Sequence, residues 1–175
     1  YEIYCPSEYQ RTLFDTLVTA GADHGLRLTG GRALMSLRLE KAFPTWGADL
    51  GPDYTPFEAG LGRFVKLDKP DFIGRDAALA AEQTKTSVLR VLLTVDAEQT
   101  DATGGEAVFR DGDRVGYVSS GGYGHTIGKS LALAYMRPDA IADGAACTVE
   151  VLGEERPATI NTGALFDPDG SRMRS

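Results

Sequence analysis

The apolar residues of this chain change rhythm about halfway along. In the first half they recur mostly three and four positions apart, and in the second half they mostly alternate. Tyr1 to Tyr4 alternates like a strand, which Pro6 ends. Ser7 and Gln10 have capping-box spacing and predict a helix capped by Ser7 and running through about Ala22. Leu13, Leu17 and Ala20 form its stripe, Phe14 and Val18 widen it, and Gly21 and Gly25 supply the stop. A second helix is predicted from near Gly31, with Met35, Leu39, Ala42 and Phe43 at helical spacing until Pro44 breaks it. Gly47 to Pro56 reads as a loop, Thr55 to Gly62 as a short helical turn, Arg63 to Leu67 as a strand and Gly74 to Gln83 as an Ala-rich helix.

After Thr84 the pattern is that of short strands. Val88 to Val95 is rich in Leu and β-branched residues. Ala107 to Arg110 and Val115 to Val118 flank Asp111-Gly112-Asp113, a hairpin signal. Leu131 to Met136, Cys147 to Leu152 and Pro157 to Ile160 complete the set, the last two joined by a turn at Gly153-Glu154. The class is therefore α+β, with a mixed part over residues 1–84 and a β-rich part over residues 85–175. Short antiparallel strands of this kind predict a small barrel or roll that hides its own edges.

With 175 residues and 42% apolar side chains, the chain can bury a core as one ordinary domain or two small ones. A net charge of -7 argues against a nucleic-acid partner, whose phosphates demand clustered Lys and Arg. No apolar run approaches the roughly 20 residues that cross a bilayer, and no secretory leader is visible, so no membrane partner is expected. Cys5 and Cys147 are the only cysteines and fit a reducing, cytoplasmic setting. The chain opens at Tyr1 with no initiator Met, which reads as a piece of a longer polypeptide.

Gly128-Lys129-Ser130 invites comparison with a phosphate-binding loop, but the Gly needed five positions earlier is Tyr123. Leu131 to Tyr135 then alternates like a strand where such a loop needs a helix, so nucleotide hydrolysis is rejected. Only His24 and His125 exist, which leaves no nucleophile-base set and no metal site.

Several stretches, taken in order, resemble the glycine-cleavage T-protein (aminomethyltransferase) superfamily. They are Tyr1-Glu2-Ile3-Tyr4-Cys5-Pro6, Ser36-Leu37-Arg38-Leu39-Glu40 with Trp46-Gly47-Ala48-Asp49-Leu50, Thr55 to Gly62, Phe72 to Arg75, and Val118 to Tyr135. Glycine-cleavage members carry an Arg-Asp pair before the Ser-Leu-Arg-Leu-Glu run, and that Arg is a folate ligand. Leu34 and Met35 stand there instead, as in dimethylglycine and sarcosine dehydrogenases. The resemblance implies a truncated folate-binding T-protein-type domain over residues 1–84, followed by the family's carboxy-terminal β-barrel over residues 85–175.

It further implies tetrahydrofolate as cofactor, a small N-methyl amine as substrate, and FAD only in an upstream flavoprotein domain. Glu2 matches the family's pterin-reading Glu, since one carboxylate can accept the ring's paired N–H donors in a fork. Tyr4, Phe43 and Trp46 are candidates for an aromatic wall, although Trp46 has equally the type of a core residue. Arg38, Arg32 and Lys129 could meet an anionic glutamyl tail, with Arg38 alternatively paired to Glu40 or Glu58. Tyr123 and His125 are placed where the second part could close over the site. The family's catalytic Asp falls upstream of Tyr1, so no catalytic residue is assigned and the chain alone is expected not to catalyse transfer. A free-standing aminomethyltransferase or folate-dependent demethylase, and a structural or folate-binding module without chemistry, are the competing readings.

Overall fold

The computed structural model describes residues 2–174, apart from the side chain of Met173. The chain divides into two compact units, Tyr1–Gly31 and Arg32–Ser175. In the first unit, Glu2 to Cys5 forms no strand or helix, and Tyr1 of the predicted strand lies outside the described residues. The Tyr4 hydroxyl donates to Glu2 Oε2 at 2.6 Å.

The helix of this unit, α1, is Gln10–Gly21, entered through a 3-10 turn at Ser7–Tyr9. Ser7 does not cap it: Pro6 holds the extended entry, Ser7 is already inside the turn, and no side-chain cap bond forms at either start. The other end follows expectation. Gly25 is left-handed at φ 69°, and Leu26 folds back to donate its amide to the Gly21 carbonyl at 3.0 Å. A Cβ on Gly21 would sit 2.5 Å from the Leu26 side chain, so this return requires glycine there.

The second unit is built on a closed six-stranded antiparallel barrel. Its strands are β1 (Leu89–Val95), β2 (Ala107–Arg110), β3 (Asp113–Gly124), β4 (Lys129–Met136), β5 (Ala146–Val151) and β6 (Glu154–Asn161), in the order β1-β4-β3-β2-β5-β6. Closure leaves no unpaired edge. Alternate residues fill the interior: Val91, Leu93 and Val95 from β1, Ala132, Ala134 and Met136 from β4, and Val149 and Val151 from β5. Small alanines facing larger residues suit a narrow barrel.

Strand β3 runs well past the predicted Val118, to Gly124. The Gly-rich stretch beyond the predicted strand is thus strand as far as Gly124, pairing Gly121 with Ala132 and Gly124 with Lys129. Gly121 lies so close to the Ala102 carbonyl that a Cβ would approach its oxygen to 2.2 Å. The predicted strand Arg63 to Leu67 is instead a 3-10 turn at Gly62–Phe64 followed by irregular chain. A closed barrel offers no edge against which a further strand could pair.

Ahead of the barrel lie α2 (Gly31–Glu40) and α3 (Arg75–Gln83). Leu39 of α2 packs on Leu92 of β1 and Leu131 and Leu133 of β4, on the outer face of those strands. That explains why β4 is apolar at consecutive positions: from Ser130 onward it is buried on both sides. Between the helices, Thr55 and Glu58 form a reciprocal capping box. The Thr55 amide donates to Glu58 Oε2 at 3.0 Å, and the Glu58 amide donates to Thr55 Oγ1 at 3.2 Å. The Thr55 amide is the main cause holding the Glu58 carboxyl below its usual range.

Candidate functional site

The polar residues of the Ser36-to-Lys41 run each fasten a different part of the second unit to α2. Ser36 Oγ donates to the Tyr123 carbonyl at 2.6 Å. Glu40 is buried, and its Oε1 accepts the backbone amides of Thr126 at 2.5 Å and Ile127 at 3.1 Å. Lys41 reaches the side chain and carbonyl of Asp167 in the carboxy-terminal segment. Arg38 pairs with Asp49 and also donates to the Phe43 carbonyl at 3.3 Å. The expected partners of Arg38, Glu40 and Glu58, are engaged elsewhere, and Asp49 takes their place.

Asp49 is the centre of this arrangement and is 1% exposed. Besides Arg38 it accepts the Thr45 amide at 2.9 Å, Ser119 Oγ at 2.5 Å and Ser120 Oγ at 2.6 Å. Neighbouring residues of a regular strand point to opposite faces. Here the β3–β4 register slips between Val118 and Ser120, and this bulge turns both serines toward one carboxylate oxygen. The Asp49 carbonyl accepts the Tyr135 hydroxyl at 2.7 Å. The Tyr135 ring stacks on Tyr54 at 3.9 Å between centroids, and burial pushes its phenol up to about 12.

A second anchor comes from the barrel. Arg90 of β1 donates from Nε to the Ala59 carbonyl at 2.9 Å and from Nη1 to the Ala42 carbonyl at 3.0 Å. Burial lowers the pKa of that guanidinium, although the group stays charged at any physiological pH.

The ring-bearing candidates are held but open to solvent. Phe43 is 42% exposed, with the Lys41 ammonium 5.8 Å from its ring centre. Trp46, three residues on, is 76% exposed, which overturns the alternative of a core tryptophan. Tyr123 is 42% exposed, and its ring meets His125 edge-on at 5.1 Å. In the other unit, Glu2 and Tyr4 are exposed, and the bond to Glu2 raises the Tyr4 phenol above its usual range. Arg32 and Lys129 are exposed cations.

A cavity of about 550 Å³ opens at one end of the barrel. Of the predicted set only Tyr123 and Lys129 line it, together with Ser130, Cys147, Asp96 and Asp101 among others. Ser130 Oγ has no partner, and burial pushes the Cys147 thiol up to about 11, so it is protonated at neutral pH. No group of His, Cys, Asp and Glu among the described residues is arranged to hold a metal.

Comparison with known proteins accounts for both parts of the chain. The description "GCVT N-terminal domain" matches residues 1–69, and "Glycine cleavage T-protein C-terminal barrel domain" matches residues 89–167. The chain belongs to the glycine-cleavage T-protein (aminomethyltransferase) superfamily.

Within that family it is 41% identical to the mitochondrial dimethylglycine dehydrogenase of Mus musculus, over 99% of this chain and 20% of the relative. It is 33% identical to an aminomethyltransferase of Desulfitobacterium hafniense, over 97% of this chain and 46% of the relative. The crystal structure of the glycine cleavage system aminomethyltransferase T from Bartonella henselae superposes with a TM-score of 0.79. That match has 28% sequence identity and covers 93% of this chain and 45% of that one. The chain thus spans about a fifth of the dehydrogenase and just under half of the aminomethyltransferase.

Sequence reasoning missed Asp49, Glu40, Ser36 and the two serines of the bulge. Asp49 and Glu40 lay inside the stretches that carried the resemblance, but their partners are 70 or more positions away for the serines and the hairpin amides. The only local signal was an unexplained acid in a loop following an Arg-bearing helix.

Proposed function

We propose that this chain is the tetrahydrofolate-binding module of a larger enzyme that oxidatively demethylates a small N-methyl amine of the dimethylglycine or sarcosine type. FAD would reside in a preceding domain, and the present residues would receive the one-carbon unit. The observation that carries the reading is the match of nearly the whole chain, 99%, to dimethylglycine dehydrogenase at 41% identity.

The side chains present are suited to the task. Phe43 and Trp46 offer open ring faces on a loop tied down by Arg38 and Asp49, which is the kind of wall a pterin or aminobenzoyl ring needs. Glu2 offers a carboxylate for the edge of the ring. Arg38 is committed to Asp49 and serves better as a brace than as a tail contact. The barrel-end cavity is a poor match to a polyanionic tail, because Asp96, Glu98 and Asp101 outnumber Lys129 in its lining. Arg32, an exposed cation on α2, is the candidate for the tail instead. Bound tetrahydrofolate supplies two nucleophilic nitrogens that take up carbon at the oxidation level of formaldehyde. The contribution of this chain is to hold and orient the ring, so that proximity does most of the work.

Calorimetric titration of tetrahydrofolate into the natural full-length protein tests the reading. The wild type should bind, and Glu2→Ala should bind about 10- to 100-fold more weakly, as expected for a charge-assisted pair of hydrogen bonds. No binding by the wild type would leave only a structural module. Unchanged affinity in the variant would remove Glu2 from the site. The 33% match to an aminomethyltransferase favours a second reading, in which no flavin chemistry is attached. Reduction of an electron acceptor by the full-length protein on addition of dimethylglycine or sarcosine separates the two.

A further inference from the structure

We infer that Glu40, with Ser36, is a positioning residue that sets the Tyr123–His125 ring pair at the tip of the β3–β4 hairpin. The tip closes tightly: the Gly128 amide donates to the Gly124 carbonyl at 2.7 Å, and Gly128 is left-handed at φ 72°. Two features aim it at α2. The Tyr123 carbonyl is held by Ser36 Oγ, one residue before the turn begins. The amides of Thr126 and Ile127, directly after His125, are both taken by a single oxygen of Glu40. His125 is therefore bracketed on either side by bonds to one helix.

The clamp uses side-chain chemistry where backbone pairing has ended. Beyond Gly124 the ladder stops, and Glu40 supplies the acceptor that a facing strand no longer gives the amides of Thr126 and Ile127. Glu40 fits there only because Gly124 has no Cβ. One would lie 3.1 Å from Glu40 Cγ, 3.2 Å from Oε1 and 2.7 Å from the Leu131 side chain.

The arrangement also carries a penalty that a purely structural device would avoid. Glu40 Oε2 is buried without a hydrogen-bond partner, although a shorter or neutral group could have capped the turn. What the clamp secures is a half-exposed tyrosine and an exposed histidine in fixed edge-to-face contact, and rigidly mounted open rings are the form a ligand-contacting pair takes.

This inference rests on the folate reading, in that the ligand used to test it is tetrahydrofolate. The experiment compares full-length wild type with Glu40→Ala, Glu40→Gln and Ser36→Ala by amide hydrogen exchange and by tetrahydrofolate affinity. Glu40→Ala should speed exchange at Thr126 and Ile127 and raise the dissociation constant about tenfold, the equivalent of one hydrogen bond at about 1.4 kcal/mol per decade. Glu40→Gln keeps an acceptor oxygen and should restore both. Ser36→Ala, at a partly exposed position, should fold normally and weaken affinity by a smaller factor. Faster exchange in Glu40→Ala with unchanged affinity in every variant overturns the positioning role while leaving the folate reading standing. Absence of binding by the wild type overturns both.

Discussion

The barrel and the segment before it, from α2 to about residue 60, are held together by opposite means. The barrel has a continuous apolar interior, contributed by every strand, in which Leu93, Val108, Val118, Ala132 and Ile160 are wholly buried. The segment buries only two apolar side chains fully, Leu39 and Ala59, and beside them two acidic ones, Glu40 and Asp49. The barrel needs only the right volume and alternation, so many sequences could fill it. The segment needs particular partners, because a buried carboxylate is tolerated only when its bonds are supplied. The part of the chain carrying the candidate rings is thus the part whose geometry depends on individual atoms. A site placed there inherits accuracy from its hydrogen bonds and fragility from the same source.

The sharpest way to break this contrast is Asp49→Ala. It strands the Arg38 guanidinium, whose side chain is only 10% exposed, leaves the Ser120 hydroxyl without its partner and leaves Ser119 only the longer bond to the Leu133 carbonyl. The expected loss is about 3–5 kcal/mol in chemical denaturation, confined in hydrogen exchange to residues before the barrel and to the β3 bulge. Equal loss of protection along β5 and β6 would show that the two regions are not energetically distinct. Leu93→Ala probes the other side. Its side chain fills the barrel centre, and its removal should cost about 3 kcal/mol and lower protection in all six strands together.

The smallest effect is one of pH. Burial pushes the Asp167 carboxyl up, but the hydrogen bonds from Lys41, the Arg172 amide and Ser171, with the Lys41 charge, outweigh it and hold the group at about 2, below its ordinary 3.8. A depressed carboxyl stabilises the fold fully above its ordinary value and loses that contribution as pH falls toward the folded one. The unfolding midpoint should therefore drop between about pH 4 and pH 2, and Asp167→Asn should flatten that window. An identical profile in the variant would detach the carboxy-terminal segment from α2 in energetic terms.

What could be read in advance divides along the same line. All six strands were legible, because alternation against a closed interior leaves a period of two in the sequence. The end of β3 was not. Its glycines resemble a connection, yet they serve a strand so tightly packed that Gly121 has no room for a Cβ beside Ala102. The capping box predicted at Ser7 and Gln10 does not form, since Ser7 follows Pro6 directly into a 3-10 turn, while Thr55 and Glu58, read only as part of a short helical turn, do form one. The family signature pointed to the right stretches but not to what their residues do. Arg38, carried over as a cofactor contact, is tied to Asp49, and Glu40, considered only as a possible partner of Arg38, closes the β3–β4 turn. Pairings across 70 or more residues leave no periodic trace.

Arg90 makes one strand the ruler for a loop. It stands opposite Tyr135 of β4, and its planar guanidinium fills the carbonyls of both Ala42 and Ala59, which flank the aromatic loop and the capping box. The two ends of residues 43–58 are thus spaced by a single rigid group. A slip in the β1–β4 pairing would carry that group away from both carbonyls at once and loosen the mount of Phe43 and Trp46.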